Sequence, residues 1–210
     1  MNIISSNRFK QIRKVFPFAF HDKQAMERGD PWYPLMGMIN GFNNSRKTYV
    51  AASAIKTLDE SMSGWKPRTT ALGDLPNISF IIRKPVPLGT EFKNVACTVT
   101  KITLHLEVQR GELPMKEQKY YSKYGTTTSC VLRLADESEY SGKCASREEA
   151  RVERKKEIYY GDSWFASLKT AEAMALRGHE FGGPVSTTTL SFILPFCHSF
   201  NIFYLTHPCN

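Results

Sequence analysis

Two aspartates, each placed after a strand-like run, are the residues of this sequence best suited to chemistry. Asp59 follows "AIKTL", and Asp162 follows "EIYYG" directly before a helix-like segment. The ends of neighbouring strands in a central sheet bring two such carboxylates together. Carboxylate oxygens suit Mg²⁺, and paired metal ions activate water and stabilise the leaving oxygen in phosphodiester cleavage. Because aspartate is also a preferred helix N-cap, spacing alone leaves a capping role open, and capping is the commoner of the two.

The elements that must position these aspartates follow from the hydrophobic pattern. "KITLHLEVQ" alternates apolar and polar residues and predicts a strand. "NISFIIRKP" predicts another strand that ends at Pro85, whereas "VPLGTEFKN" carries the proline and glycine signals of a turn. "SCVLRLAD" fits a strand or the edge of a helix equally well. Residues 8–44 have the apolar spacing of amphipathic helices, and the mixed charges of residues 143–157 indicate a solvated helix or an insertion.

The composition describes a basic globular protein. The 210 residues include 28 Lys and Arg against 20 Asp and Glu, which gives a net charge of +8. That balance fits a polyanion such as nucleic acid, although basic proteins without such a partner are common. The five cysteines form no CxxC pair, and the first residues lack the apolar region of a signal peptide. These features favour reduced thiols in the cytoplasm or nucleus.

The last part of the chain differs sharply in composition from the rest. No Asp, Glu, Lys or Arg follows Glu180. The apolar stretch from Leu190 to Leu205 is too short and too polar in its middle for a membrane span, so no membrane partner is expected. The spacing of its cysteines and histidines matches no common zinc finger, and we expect no zinc site there. We predict that residues 186–210 form an aberrant, uncharged tail that does not pack on the domain.

Three motifs in order make the sequence similar to a known family. "LDESMSGWKPR", then "RKPVPLGTEFK", then "GDSWFAS" followed by a helix and "GHEFGGPV", resemble the transposase domain of piggyBac-type DNA transposases. The resemblance runs from about Arg8 to Val185. It implies an α/β fold with an RNase H-like mixed sheet and flanking helices, incomplete at the C-terminus. The implied organisation is a helical N-terminal segment (1–50), a partial RNase H-like transposase domain (51–185) and the tail (186–210).

The resemblance also assigns roles to the two aspartates. Asp59 is the first catalytic and metal-binding aspartate, at the end of the first strand, and Asp162 is the second, just after the fourth strand. Mg²⁺ or Mn²⁺ is the implied cofactor. The family uses a third aspartate farther along and a zinc domain rich in cysteine and histidine, and neither is visible in this sequence.

The implied function is DNA cut-and-paste transposition, with this copy expected to be truncated and inactive. DNA at transposon ends is the implied partner, a homodimer is the implied assembly of the intact family, and the nucleus is the implied location. Arg83, Lys84 and Lys93 are candidate DNA-phosphate contacts, although an ordinary basic surface loop explains them about as well. The alternative function is a non-catalytic DNA- or protein-binding module derived from a transposable element. Whether the chain is itself an enzyme is left open by the sequence.

Overall fold

The computed structural model describes residues 5–15, 32–64, 77–138, 156–184 and 204–205. The chain divides into two compact units, residues 1–42 and 43–210. Helix α1 (Ser6–Val15) lies in the first unit, and helix α2 (Tyr33–Tyr49) begins there and ends in the second. The prediction of helices over residues 8–44 is confirmed for these two segments, and residues 16–31 lie outside the described ranges. The three-part division of the chain at residues 50 and 185 stays a prediction.

The second unit is built on a mixed sheet. Its central strand, β1, runs antiparallel to β3 and parallel to β5, and β5 is followed by β6 and β7, each parallel to its neighbour. The other edge of β3 pairs antiparallel with β2 and β4. The strands are β1 (Ile55–Gly64), β2 (Ser79–Phe80), β3 (Leu88–Cys97), β4 (Thr103–Val108), β5 (Ile158–Gly161), β6 (Glu180–Pro184) and β7 (Tyr204–Leu205).

Helices packed against the sheet cover the core. Two short helices, α3 (Glu112–Lys116) and α4 (Tyr121–Tyr124), lead into α5 (Thr126–Glu137), and α6 (Leu168–Ala175) joins β5 to β6. Helix α5 contacts β3 and β4, and helix α6 contacts β6 and α5. The residues buried between these helices and the sheet include Leu58, Val95, Leu104, Leu132, Leu134, Tyr159, Phe165 and Met174. "SCVLRLAD", which the pattern left open, is therefore helical, and almost all of it is buried.

Two predicted boundaries differ from the structure. "VPLGTEFKN" was predicted as a turn, but β3 begins at Leu88 and runs through it. Gly89 is needed there for close packing and not for a turn, because an added Cβ lies 2.1 Å from the Ser63 carbonyl oxygen of β1. "NISFIIRKP" contributes only Ser79–Phe80 as a strand.

The charge-free tail and the mixed-charge segment fall mostly outside the described residues. Within residues 186–210, Tyr204 and Leu205 pair with Gly183 and Pro184 of β6. The prediction that the tail does not pack is therefore wrong for these two residues, because they add a strand to the edge of the sheet. Residues 143–155 and the tail cysteines and histidines lie outside the described part of the chain. None of the helices within that part is long and apolar enough to cross a bilayer.

Candidate active site

The sheet register places Asp59 and Asp162 at the same level, where β5 ends. In the parallel pairing of β1 with β5, the last Cα partners are Leu58 and Gly161. Asp59 and Asp162 are the next residues of the two chains. Neighbouring strands lie about 4.8 Å apart. The sheet topology therefore brings together two residues that are far apart in sequence.

The resemblance implied that Asp59 lies at the end of the first strand, but in the structure Asp59 lies within β1. Strand β1 continues to Gly64, because its antiparallel pairing with β3 extends from Lys56↔Cys97 through Asp59↔Asn94 to Gly64↔Gly89. Only the neighbouring strand β5 stops at this level. The alternation along β1 buries Leu58 and leaves Asp59 exposed. Asp59 is thus held by a strand that continues past the level at which β5 ends.

Asp162 caps a turn and is not the N-cap of a helix. Its Oδ1 accepts a hydrogen bond from the Trp164 backbone N–H at 2.9 Å, and its carbonyl oxygen accepts from Phe165 N at 3.1 Å. Helix α6 begins only at Leu168, and its N-cap is Ser167, whose Oγ accepts from Thr170 N at 3.1 Å. Helix capping therefore does not explain the aspartate at position 162.

Gly161 makes the tight approach to this turn possible. A Cβ at this position lies 2.6 Å from the Phe165 Cβ and 3.4 Å from the Phe181 ring. Both phenylalanines are in the core. A larger residue at position 161 has to displace the turn that carries Asp162.

Among the described residues, the backbone hydrogen bonds of each aspartate carboxylate are made to one oxygen, Oδ1. Asp59 Oδ1 accepts from the Glu60 N–H at 2.7 Å, and Asp162 Oδ1 accepts from Trp164 N. The Oδ2 atoms remain, and hard divalent cations prefer such oxygen donors. Within the described ranges no group of three or more His, Cys, Asp or Glu residues is placed to hold a metal. Two carboxylates fit Mg²⁺ or Mn²⁺, because Mg²⁺ usually binds one or two carboxylates and completes its shell with water and substrate phosphate.

Glu60, next to Asp59, is the buried centre of a cluster of cations. Its side chain is only 3% exposed, and its carboxylate accepts hydrogen bonds from Lys93 Nζ at 3.1 Å and from Arg83 Nη2. Glu60 and Lys93 are direct cross-strand partners in the β1–β3 pairing. Lys84 Nζ donates to the Glu60 carbonyl oxygen at 2.8 Å. The three predicted DNA contacts therefore converge on one residue, Glu60.

The three basic residues differ greatly in exposure. Arg83 is 55% exposed, Lys84 is 24% exposed and Lys93 is 2% exposed. Lys93 also pairs with Glu91 at 2.6 Å, and its Nζ lies 3.4 Å from the centre of the Trp164 ring. The buried ammonium thus ties β1 and β3 to the turn that carries Asp162. Phosphate binding by any of the three stays a prediction, and Arg83 is the most accessible of them.

The topology defines an α/β domain built on a mixed sheet with flanking helices. Strands β1, β3 and β4 form the antiparallel half, and β5 and β6 extend the sheet in parallel to β1. The sequence model of the transposase IS4 family matches residues 1–192. The chain belongs to this family.

Two solved transposase structures are similar to this chain. The cryo-EM structure of the piggyBac transposase in a synaptic complex with hairpin DNA matches 88% of this chain with a TM-score of 0.60 and 17% identity. The Mos1 transposase in a paired-end complex with the left transposon end matches 84% of this chain and 48% of its own, with a TM-score of 0.30 and 13% identity. A search of curated proteins found no match.

The comparisons confirm the piggyBac resemblance and the fold inferred from it. The mixed sheet with flanking helices is the fold of the piggyBac transposase, and the protein is transposase-derived. The chain spans 34% of the length of the piggyBac transposase chain that it matches. Activity of the whole transposase is therefore a separate question from the fold of this domain.

Proposed function

We propose that this transposase-derived protein binds DNA at transposon ends and that Asp59 and Asp162 are two ligands of its divalent-cation centre. The observation that carries the proposal is the placement of the two aspartates directly after the last paired residues of two adjacent parallel strands. One carboxylate lies on a continuous strand and the other on a turn that backbone hydrogen bonds fix. Such an arrangement holds both groups before any ligand arrives.

Mg²⁺ is the preferred cation of this proposal, with Mn²⁺ as its functional substitute. When bound, it supplies charge neutralisation for phosphate oxygens and a water of lowered pKa. The residues themselves do the positioning. The pairing of β1 with β3 fixes Asp59, and the Asp162–Trp164 hydrogen bond fixes the second carboxylate. The other carboxylate oxygen of Asp162, Oδ2, lies 3.6 Å from Arg83 Nη2.

DNA binding is proposed for the surface beside the aspartates. Arg83 is half exposed there, and arginine recognises phosphate through its forked donors. Lys84 lies next to it in sequence and is partly exposed. Lys93 faces Glu60 and Trp164, so its role in this proposal is to hold the site together.

The complete cut-and-paste reaction belongs, in this proposal, to the intact family. In-line displacement with two metal ions needs both ions fixed, and two carboxylates alone bind them weakly. We therefore expect this chain by itself to bind DNA without nicking it. A homodimer and a nuclear location are parts of the same proposal and follow from the resemblance.

The test is a DNA-binding and nicking assay on the purified chain with transposon-end DNA and Mg²⁺ or Mn²⁺. We expect binding that weakens strongly between about 50 mM and about 200 mM salt, and no nicking with either metal. Nicking that Asp162→Ala abolishes contradicts the expectation of inactivity while confirming the site. Absence of binding at low salt contradicts the proposal that DNA is a partner of this chain. The matched control is Glu112→Gln, an exposed carboxylate on α3, which should change neither result.

A further inference from the structure

Arg83 contacts two carboxylates with one nitrogen atom. Its Nη2 donates to Glu60 Oε1 and lies 3.6 Å from Asp162 Oδ2. Oδ2 is the Asp162 oxygen that the turn leaves unused, since Oδ1 accepts from Trp164 N. The guanidinium group thus faces the atom that the proposed function assigns to a divalent cation.

The two carboxylates depend on Arg83 to different degrees. Glu60 keeps Lys93 at 3.1 Å and Lys84 at 3.9 Å even without Arg83. Within the described part of the chain, Arg83 is the one cation within ion-pair distance of Asp162. The Glu60 contact anchors the arginine, and the longer Asp162 contact is the one that it can give up at small cost. A half-exposed ion pair of this kind contributes little stability.

A divalent cation and the guanidinium group cannot share Asp162 Oδ2 comfortably. A metal–oxygen bond is about 2.1 Å long, so a cation on Oδ2 lies close to Arg83 Nη2. Like charges at such a separation repel by an amount that falls with solvent exposure but does not vanish. One of the two has to move, and Arg83 has a second partner to retain.

We propose that Arg83 is a displaceable internal counter-ion of the metal site. It neutralises Asp162 when no cation is bound, and it withdraws to Glu60 when a cation binds. There it stands beside the cation with donors free for a DNA phosphate. This inference rests on the proposed function, because it takes Asp162 as a cation ligand. Arg83 is therefore a positioning and regulatory residue that lowers cation affinity while it raises DNA affinity.

The test measures Mn²⁺ affinity directly, by electron paramagnetic resonance of free Mn²⁺ during titration of the full chain. Arg83→Gln should tighten Mn²⁺ binding about twofold to fivefold, the range of an exposed ion pair. Arg83→Lys keeps the positive charge and should stay within about twofold of the wild type. The matched control is Lys84→Gln, which also removes a cation beside Glu60. Among the described residues, Lys84 forms an ion pair with Glu60 and none with Asp162. Lys84→Gln should change Mn²⁺ affinity less than Arg83→Gln does.

Further variants separate the failure of this inference from failure of the metal site itself. Asp162→Asn should weaken Mn²⁺ binding and should remove the effect of Arg83→Gln in the double variant. If Asp162→Asn leaves Mn²⁺ binding unchanged, the proposed metal site is wrong and the inference falls with it. If Asp162→Asn weakens binding but Arg83→Gln weakens it too or leaves it unchanged, the site stands and the counter-ion inference is overturned. Thermal unfolding of each variant confirms that it is folded.

Discussion

Replacing Glu60 by Gln probes the buried charge cluster that supports the candidate site. The substitution keeps the size of the side chain and its ability to accept a hydrogen bond, but it removes the negative charge. Lys93, which is 2% exposed, then keeps only Glu91 as a carboxylate partner among the described residues. Arg83 and Lys84 lose the same partner. Three cations are left with too little negative charge between them.

The expected loss of stability follows from the burial of the pair. Breaking a buried ion pair by removing one partner costs about 3–5 kcal/mol. Glu91 stays 2.6 Å from Lys93 and reduces that figure, so we expect a loss of about 2–3 kcal/mol for Glu60→Gln. For a chain of this size each kcal/mol corresponds to roughly 2–4 °C, so the melting temperature should fall by about 4–12 °C.

The assay is urea unfolding followed by circular dichroism, with thermal melting as a second measurement. Glu60→Gln should lower the midpoint at an unchanged slope. Glu112→Gln, which removes an exposed carboxylate from an i,i+4 pair, serves as the control and should leave the midpoint unchanged. The double variant Glu60→Gln/Lys93→Met should recover part of the loss, because it also removes the stranded charge. A Glu60→Gln protein within about 0.5 kcal/mol of the wild type refutes the reasoning.

Other elements of the fold give predictions of their own. Burial, only partly opposed by Glu137, lowers the pKa of His105 to about 4 from its ordinary 6.5. As the pH falls, this histidine is protonated in the unfolded chain at a higher pH than in the folded chain. The contribution of His105 to the free energy of unfolding should therefore be fully present above pH 6.5 and fall by about 3 kcal/mol towards pH 4. A pH profile of His105→Leu that is equally steep contradicts this. Gly161→Ala should lower the melting temperature and weaken Mn²⁺ binding together, because its Cβ meets a buried side chain at 2.6 Å; an unchanged melting temperature argues against the packing role. Ser167→Ala should cost about 0.5–2 kcal/mol in urea unfolding through loss of the α6 cap, while Ser167→Asp should largely retain stability.

The sequence predicted those features that depend on local pattern. The alternation in "KITLHLEVQ" identified β4, because a strand half buried on one face has a period of two. The spacing of apolar residues identified the two N-terminal helices. The order of the motifs indicated the family, because each motif lies on a short, continuous segment.

Other features escaped sequence reasoning because they depend on contacts between distant segments. Glu60 is buried because it pairs with Lys93 on the neighbouring strand. The residues adjacent in sequence to Glu60 and to Lys93 do not indicate this pairing or the burial. Gly89 looked like a turn residue, whereas it allows two strands to approach closely. The N-cap of α6 is Ser167 and not Asp162, and a serine directly before an apolar helix is a local signal of such a cap.

The contact between Arg83 and Asp162 was equally invisible in the sequence. Arg83 was predicted as a DNA contact because lysine and arginine bind phosphate, a rule that takes no account of nearby carboxylates. The structure places it between two acids, which changes its expected role from a simple phosphate ligand to a counter-ion.

The most direct test of the central proposal is a crystal structure of the chain soaked in Mn²⁺, with anomalous scattering data collected to locate the ion. The account predicts an anomalous peak between the two aspartates, with an oxygen of Asp59 and an oxygen of Asp162 each about 2.2 Å from it. Arg83 should have moved from Asp162 while keeping its contact with Glu60. Carboxylates more than about 10 Å apart, too far to share a pair of ions, or Mn²⁺ bound elsewhere with this position empty, contradict the proposal.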